Sequence, residues 1–318
     1  MCFWNIDTSI PKHKPFLIMK LPLVPFKLVT EFMDSNEIYY GEDNTFLMIE
    51  HCSSNTVLDL FKCISAVFSC PSVRWNFYLD ELRTETMMHC LNLSLLEKCT
   101  GFSFMKGSLS TSLLTELMDK IPVSKRLEIG SDIPIDFKHP NALKYYVTKY
   151  NNGRWITMND LKSIRNVGWI ELKSTIFGCN DVNEFLRYWV NCEEDMLKLL
   201  DLNLKEGAFI DVDALTDQLI TVRVEGASSP HFFIKAKNHK HRKFVLGHLE
   251  IDNDNLVRFS AWEAVADIHL LEILELLERK KELEEKISMI EKRENQSGIS
   301  NFSQEIRKKR MHMQNYDF

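Results

Sequence analysis

The sequence predicts an α/β protein: a short helical start, an irregular sheet domain of alternating strands and helices, and a long C-terminal helix. Three observations carry that prediction. From about Cys70 onward, short aliphatic or aromatic runs alternate with stretches suited to helix. One of those stretches, Asp181 to Cys192, places Val182, Phe185, Leu186 and Trp189 on one face at helical spacing. After Ser260 an apolar periodicity continues as far as Ile290 inside an increasingly charged segment.

Taken in order, the first element lies within Lys14 to Ile38. Leu21-Pro22 is an extended entry, because the residue before a proline is pushed out of the helical region. Pro25 suits the first turn of the helix that follows, and Leu28, Val29, Phe32 and Met33 make its apolar stripe. Asp34-Ser35 is the cap expected for a second short helix from near Glu37. Strands are expected over Val73–Leu79, Met88–Leu93, Arg126–Ile129, Trp169–Leu172 and Leu197–Leu204. Further strands are expected over Leu219–Val224, Phe232–Ile234, Lys243–Ile251 and Leu256–Phe259. Helices are expected over Ser110–Lys120, Asn141–Tyr150, Met158–Ile164 and Asp181–Cys192.

Six of the strand candidates fit L-x-x-L-x-L, the strand half of a leucine-rich repeat. They start at Met88, Ser124, Val167, Leu197, Leu219 and Leu246. The pattern is cheap, since about 28 accidental matches are expected at this hydrophobic content. None of the six has Asn or Cys at its ninth position, so the expectation is a repeat-like parallel sheet and not a regular solenoid. Toward the end, Ile273, Leu276, Leu283, Ile287 and Ile290 fit a and d heptad positions, with Lys280 in the seam. This favours an amphipathic helix docking its first half on the domain over a coiled coil. The resulting division is 14–60, a helical segment; 70–262, the sheet domain; 263–295, the amphipathic helix; and 296–318, a flexible basic tail containing Arg307-Lys-Lys-Arg310.

Composition and motifs exclude more than they assign. A chain that is 45% hydrophobic and 26% charged is not mostly disordered. Its 39 Lys and Arg against 45 Asp and Glu leave no global electrostatic reason for nucleic-acid or membrane binding. The longest apolar stretches, such as Leu58 to Phe68, fall well short of the ~20 residues that span a bilayer. With prolines and lysines through residues 1–20, no export signal is read, so the expected compartment is cytoplasmic or nuclear. The eight cysteines form no CxxC pair and read as reduced, buried thiols. No phosphate-binding glycine loop and no nucleophile elbow is present. His231, His239, His241 and His248 lie among Lys235, Lys237, Lys240, Arg242 and Lys243, cations that disfavour a divalent metal, so a solvated basic hairpin is expected. Trp155, Trp169, Trp189 and Trp262 read as core anchors. No catalytic set, cofactor site or metal site emerges.

Several of these segments resemble a known family. Pro15-Phe16, Leu21-Pro22, Leu28-Val29, Met33-Asp34 and Glu37-Ile38 are similar to the F-box of nematode F-box proteins that also carry the type 2 F-box-associated domain. Gly153-Arg-Trp-Ile-Thr-Met-Asn-Asp-Leu161, Ile170-Glu-Leu-Lys-Ser174, Asn180 through Asn191 and Leu197 through Leu202 resemble that associated domain, in the family's order and spacing. Ile121-Pro-Val and Leu127-Glu-Ile resemble the strand before it, and Phe259-Ser-Ala-Trp262 its end. In one respect the chain departs from the family: Tyr39 to Thr45 intervenes after the second F-box helix, and Cys52-Ser-Ser-Asn-Thr56 lacks the family's basic pair.

The resemblance implies a non-enzymatic substrate receptor of an SCF-type ubiquitin ligase. In such a receptor Phe16, Leu21, Pro22, Leu28, Val29, Phe32, Asp34 and Ile38 would contact a Skp-type adaptor, which connects to a cullin. The associated domain would hold a protein target. No membrane and no nucleic-acid partner is implied. The alternative is a stand-alone protein-interaction domain with a decayed F-box.

Overall fold

The computed structural model describes residues 2–5, 38–40, 46–49, 74–80, 84–92, 99–224, 226, 229–237, 241–252 and 255–297. They form a mixed α/β structure with extensive sheet and a long C-terminal helix. The chain divides into two compact units: Met1–Ile176 with Leu200–Glu206, and Phe177–Leu199 with Gly207–Phe318.

The first unit contains β1 (Cys2–Asn5), β2 (Ile38–Tyr40), β3 (Phe46–Ile49) and β4 (Arg74–Tyr78), followed by helix α1 (Thr84–Leu91). Then come β5 (Gly101–Met105), α2 (Thr111–Lys120), β6 (Arg126–Ile129), β7 (Val147–Tyr150), α3 (Met158–Lys162) and β8 (Val167–Leu172). From β4 to β8 each strand lies parallel to the next in chain order. Parallel neighbours need a crossover connection, and α1, α2 and α3 lie in three of those connections. At the far edge β1 pairs antiparallel with both β4 and β3, and β2 pairs with β3.

The strand cores explain the layering. Trp75, Phe77, Phe102, Phe104, Leu127, Ile129, Tyr150, Ile170 and Leu172 are buried at alternate positions, with Leu114, Leu117 and Met118 of α2 and Leu161 of α3. Burying one strand face and one helical stripe is the stable solution for such units. Local signals set the helix starts: Ser110 accepts the Leu113 N–H at 3.3 Å. Thr157 and Asp160 form a reciprocal capping box at the head of α3.

The second unit contains helix α4 (Cys179–Asn191), α5 (Val212–Thr216), and strands β10 (Val222–Val224), β11 (His231–Lys235), β12 (Phe244–Ile251) and β13 (Leu256–Glu263). Strand β9 (Leu197–Asn203) divides between the units after Leu199. The run β10–β13 is antiparallel throughout. On its inner face Phe259 meets Trp189 of α4 at 4.9 Å and Phe185 at 6.3 Å between ring centroids. A 3₁₀ turn, Ala264–Ala266, leads into helix α6 (Ile268–Ser297). Leu270 and Leu274 of α6 bury against Val245 and Leu246, so the first half of that helix is docked.

The structure corrects several expectations. The Met88/Leu91/Leu93 strand is instead part of helix α1 as far as Leu91. The i, i+3 step of L-x-x-L also lies along one helical face, so the pattern does not distinguish the two. Asn141–Tyr150 is not a helix: turns lead into strand β7, and the hydroxyls of Tyr145 and Tyr150 donate to the Met118 and Ala142 carbonyls. The repeat-like strands at Leu219 and Leu246 belong to antiparallel hairpins. Their connections are too short for crossover helices: eight residues separate β11 from β12, and four separate β12 from β13. Strand β5 matches no expected element. Where a helix was expected from Glu37, Ile38–Tyr40 is strand, consistent with the β preference of Ile and Tyr.

Candidate functional site

The outward positions of the parallel strands form ordered rows across the sheet. One row runs Arg74, Gly101, Arg126, Val147, Trp169, and the next runs Asn76, Ser103, Glu128, Lys149, Glu171, as the strand register dictates. Cross-strand neighbours at this spacing touch. Ser103 donates to Glu128 at 3.1 Å, and Lys149 bonds Glu171. Lys173 reaches the same carboxylate at 3.3 Å. The Lys149 ammonium also lies 3.9 Å from the Trp169 ring centroid, and the Trp169 indole donates to Asp201 at 3.0 Å. Burial pushes the Glu171 carboxyl up, but hydrogen bonds and charge from Lys149, then Lys173, outweigh it and hold the group below its ordinary range. Gly101 keeps the first row close, because an added Cβ would stand 2.7 Å from the Arg126 Cβ.

A second aromatic and imidazole row crosses the antiparallel strands of the second unit. The His231 and His248 rings join Nδ1 to Nε2 at 2.9 Å, and Ser229 Oγ lies 3.0 Å from His231 Nε2. The His248 ring stacks on Phe233 at 4.8 Å and on Trp262 at 5.5 Å. Burial, then the neighbouring His231, holds the His248 imidazole below its usual value, against the opposing pull of Glu250. At this distance one of the two facing ring nitrogens donates and the other accepts. Among the described residues no group of three or more His, Cys, Asp or Glu converges as metal ligands would.

The expected solvated basic hairpin holds at Lys237, His241 and Lys243, which are exposed, and is corrected at Arg242. The Arg242 side chain is fully buried, stacked at 4.3 Å on Trp189 and donating to the Trp189 and Cys192 carbonyls at 2.7 and 3.1 Å. It satisfies the carbonyl end of α4, where a cation also meets the negative helix pole. Trp262 departs from its reading as a core anchor, being 37% exposed. Of the residues expected to contact an adaptor, Phe16, Leu21, Pro22, Leu28, Val29, Phe32 and Asp34 lie outside the described residues. Ile38 lies in β2, paired with Ile49.

The motif residues of the middle of the chain have definite structural tasks. Trp155 is buried, edge-on to Phe137 at 5.3 Å and to Tyr150 at 5.1 Å. Thr157 and Asp160 cap α3, and Asp160 also holds Lys138 at 2.8 Å. Asp181 accepts the Gly178 N–H at 2.7 Å at the head of α4. Asn183 donates to the carbonyls of Leu215 and Asp217 at 3.0 and 2.9 Å. These residues specify a fold, and residues 137–202 match the family model described as F-box associated. Over those residues the chain is similar to F-box-associated domains. It is similar to the Skn-1 dependent zygotic transcript 15 protein of Caenorhabditis elegans, with 21% identity over 198 residues, or 56% of this chain. The match spans about 57% of that relative's length. No solved structure matches the chain. Among the described residues no helix is long and apolar enough to cross a membrane.

The motif residues Trp155, Thr157, Asp160, Asp181 and Asn183 are thus engaged in caps and core contacts. Sequence reading missed two features of the surface. One is the polar rows of the parallel sheet, which only the strand register aligns. The other is the His231–His248 pair, whose members lie 17 positions apart.

Proposed function

We propose that this chain is a substrate-recognition subunit of an SCF-type ubiquitin ligase. Its F-box-like segment, residues 14–60, binds a Skp-type adaptor that connects to a cullin, and the F-box-associated domain binds a protein target. The chain itself performs no chemistry; ubiquitin transfer is carried out in trans by the conjugating enzyme. The observation that supports this reading is the F-box-associated match at 137–202. It is joined by an N-terminal segment whose Leu21-Pro22 and Leu28-Val29 are similar to an F-box.

Affinity purification of the full chain from cells tests it. The adaptor and the cullin are expected with the unaltered chain and are expected to be lost with the Leu21→Ala, Pro22→Ala double variant. A few apolar anchors dominate interfaces of this kind, so two truncations suffice. Recovery of neither partner with the unaltered chain would overturn the proposal.

One observation favours the second reading, a stand-alone interaction domain with a decayed F-box. Strand β1 ahead of the F-box-like segment, and β2 and β3 within it, belong to the sheet, with β1 between β4 and β3, and β2 on β3. That reading predicts the same interaction partners for the unaltered chain and the double variant. Deleting residues 1–56 would be the poorer experiment, because it strips β1, β2 and β3 from β4.

A further inference from the structure

The second unit holds a cleft of about 610 Å³, a volume typical of a binding site. The C-terminal end of α4 forms one wall, with Arg187 and Val190; Leu219 and Ile220 form the base. The end of β11 and the residues after it contribute Lys235 and Lys237, and α6 lines the cleft from Leu274 to Glu285.

Two features distinguish it from a packing defect. The chain entering it is anchored: the Asn183 amide donates to the Leu215 and Asp217 carbonyls, and the next residue, Gln218, is held at φ 59°. A non-glycine residue in that region is strained and persists only where its surroundings impose it, a condition concentrated at binding sites. The charges also sort by wall. Lys235, only 8% exposed at its side chain, is neutralised by Glu278 at 2.8 Å, which ties α6 to β11 at one end of the cleft. Apart from that tie, the lining cations Arg187 and Lys237 come from α4 and the residues after β11, the lining anions Glu282 and Glu285 come from α6, and none of the four enters an ion pair among the described residues. Lys281 is the single cation of the helix wall.

We infer that this cleft binds an extended peptide segment of the target protein, one with an apolar side chain, a basic residue and an acidic residue in close succession. The apolar group fits the Val190, Leu219, Ile220 and Leu274 end. The basic residue meets Glu282 and Glu285 on α6, and the acidic residue meets Arg187 and Lys237. The length agrees: Leu274 to Glu285 spans about 16 Å of helix, enough for about five residues of extended chain. Charges of both signs that line one cleft without pairing with each other are complementary to a ligand that places a charge against each. The inference takes its setting from the receptor proposal, but peptide binding by the isolated chain does not involve the adaptor.

The test is selection of random heptapeptides displayed on phage against the purified full-length chain, followed by anisotropy measurements on fluorescein-labelled copies of the selected sequences. Enrichment of peptides pairing an apolar, a basic and an acidic residue is expected, with binding that weakens as salt rises. Reversing one wall with Glu282→Lys and Glu285→Lys is expected to weaken those peptides about tenfold or more, and Arg187→Glu likewise. Both sites are exposed, so thermal melting should not change; if it does, the Glu282→Gln, Glu285→Gln pair gives the same reading without reversed charge. No enrichment, or equal binding by the charge-reversed chains, overturns the inference. Failure here with adaptor recovery intact leaves the receptor proposal standing, and adaptor loss with peptide selection intact does the reverse.

Discussion

The two compact units solve the same burial problem with opposite sheet geometry, and their surfaces differ accordingly. In the parallel unit, strands in consecutive register place Ser103, Glu128, Lys149 and Glu171 side by side, and these side chains satisfy one another. In the antiparallel unit the hairpins bring His231, Phe233, His248 and Trp262 into a stacked row. Apart from the Lys235–Glu278 pair, the charges Arg187, Lys237, Glu282 and Glu285 of its cleft enter no ion pair among the described residues. A row of partnered charges stabilises its own sheet; a gap lined by unpartnered charges leaves them available to a ligand. The comparison teaches that polarity alone does not mark a recognition surface, whereas unmet polarity does.

The sharpest way to probe the contrast is at the core of the antiparallel unit. Trp189→Ala removes the ring on which both Phe259 and Arg242 rest, and is expected to cost about 3–5 kcal/mol in urea unfolding. Trp262→Ala, at a partly exposed ring, should cost far less, and equal costs would contradict the burial described here. Next, Gly101→Val in the parallel unit places a side chain where a Cβ alone would stand 2.7 Å from Arg126, with an expected loss of about 1–3 kcal/mol by the same measurement.

Smaller effects separate the partnered charges from the unpartnered ones. Glu171→Gln should destabilise by about 1–2 kcal/mol at neutral pH, because Lys149 loses a charged partner. Glu282→Gln should stay within about 0.5 kcal/mol. Because the folded state holds the Glu171 carboxyl below its ordinary value, its contribution is present above the unfolded carboxylate range and lost as pH falls through the folded value. Melting curves from pH 7 downward should therefore show a shallower acid decline for Glu171→Gln. The smallest effect concerns His248, whose folded value is held down. The unfolded chain takes up the proton first, so stability declines as pH falls through about 6.5. His248→Phe should flatten that part of the profile, and an unchanged slope would remove the role assigned to burial of the imidazole.

Much of the parallel unit was legible because its signals are local. Arg126–Ile129 and Val167–Leu172 are short aliphatic strands, and Thr157 with Asp160 announces a helix head in four residues. Strand β5, Gly-Phe-Ser-Phe-Met, was not legible: four of its five residues are buried, so it shows no alternation of apolar and polar positions. Val147–Tyr150 was hidden by the flanking tyrosines, whose spacing imitates a helix until their hydroxyls find distant carbonyls. The hairpins of the second unit were mistaken for repeats because L-x-x-L-x-L describes side-chain spacing and says nothing about strand direction. The cleft was out of reach for a different reason. Its walls come from segments near 187, 219, 236 and 280, each unremarkable alone. Arg242 was misread because its partners are carbonyls, which no side-chain pattern reveals.

The pairing of β6 with β7 bears on how the molecule can be divided. Val147–Tyr150 is matched residue for residue by Arg126–Ile129, yet the family borders begin at Phe137. A fragment trimmed to those borders would lose that neighbour and the Met118 carbonyl that receives the Tyr145 hydroxyl. Its new margin would be a bare row of amides and carbonyls, open to self-association. Recombinant work on this domain should start no later than Arg74, the first residue of the parallel run.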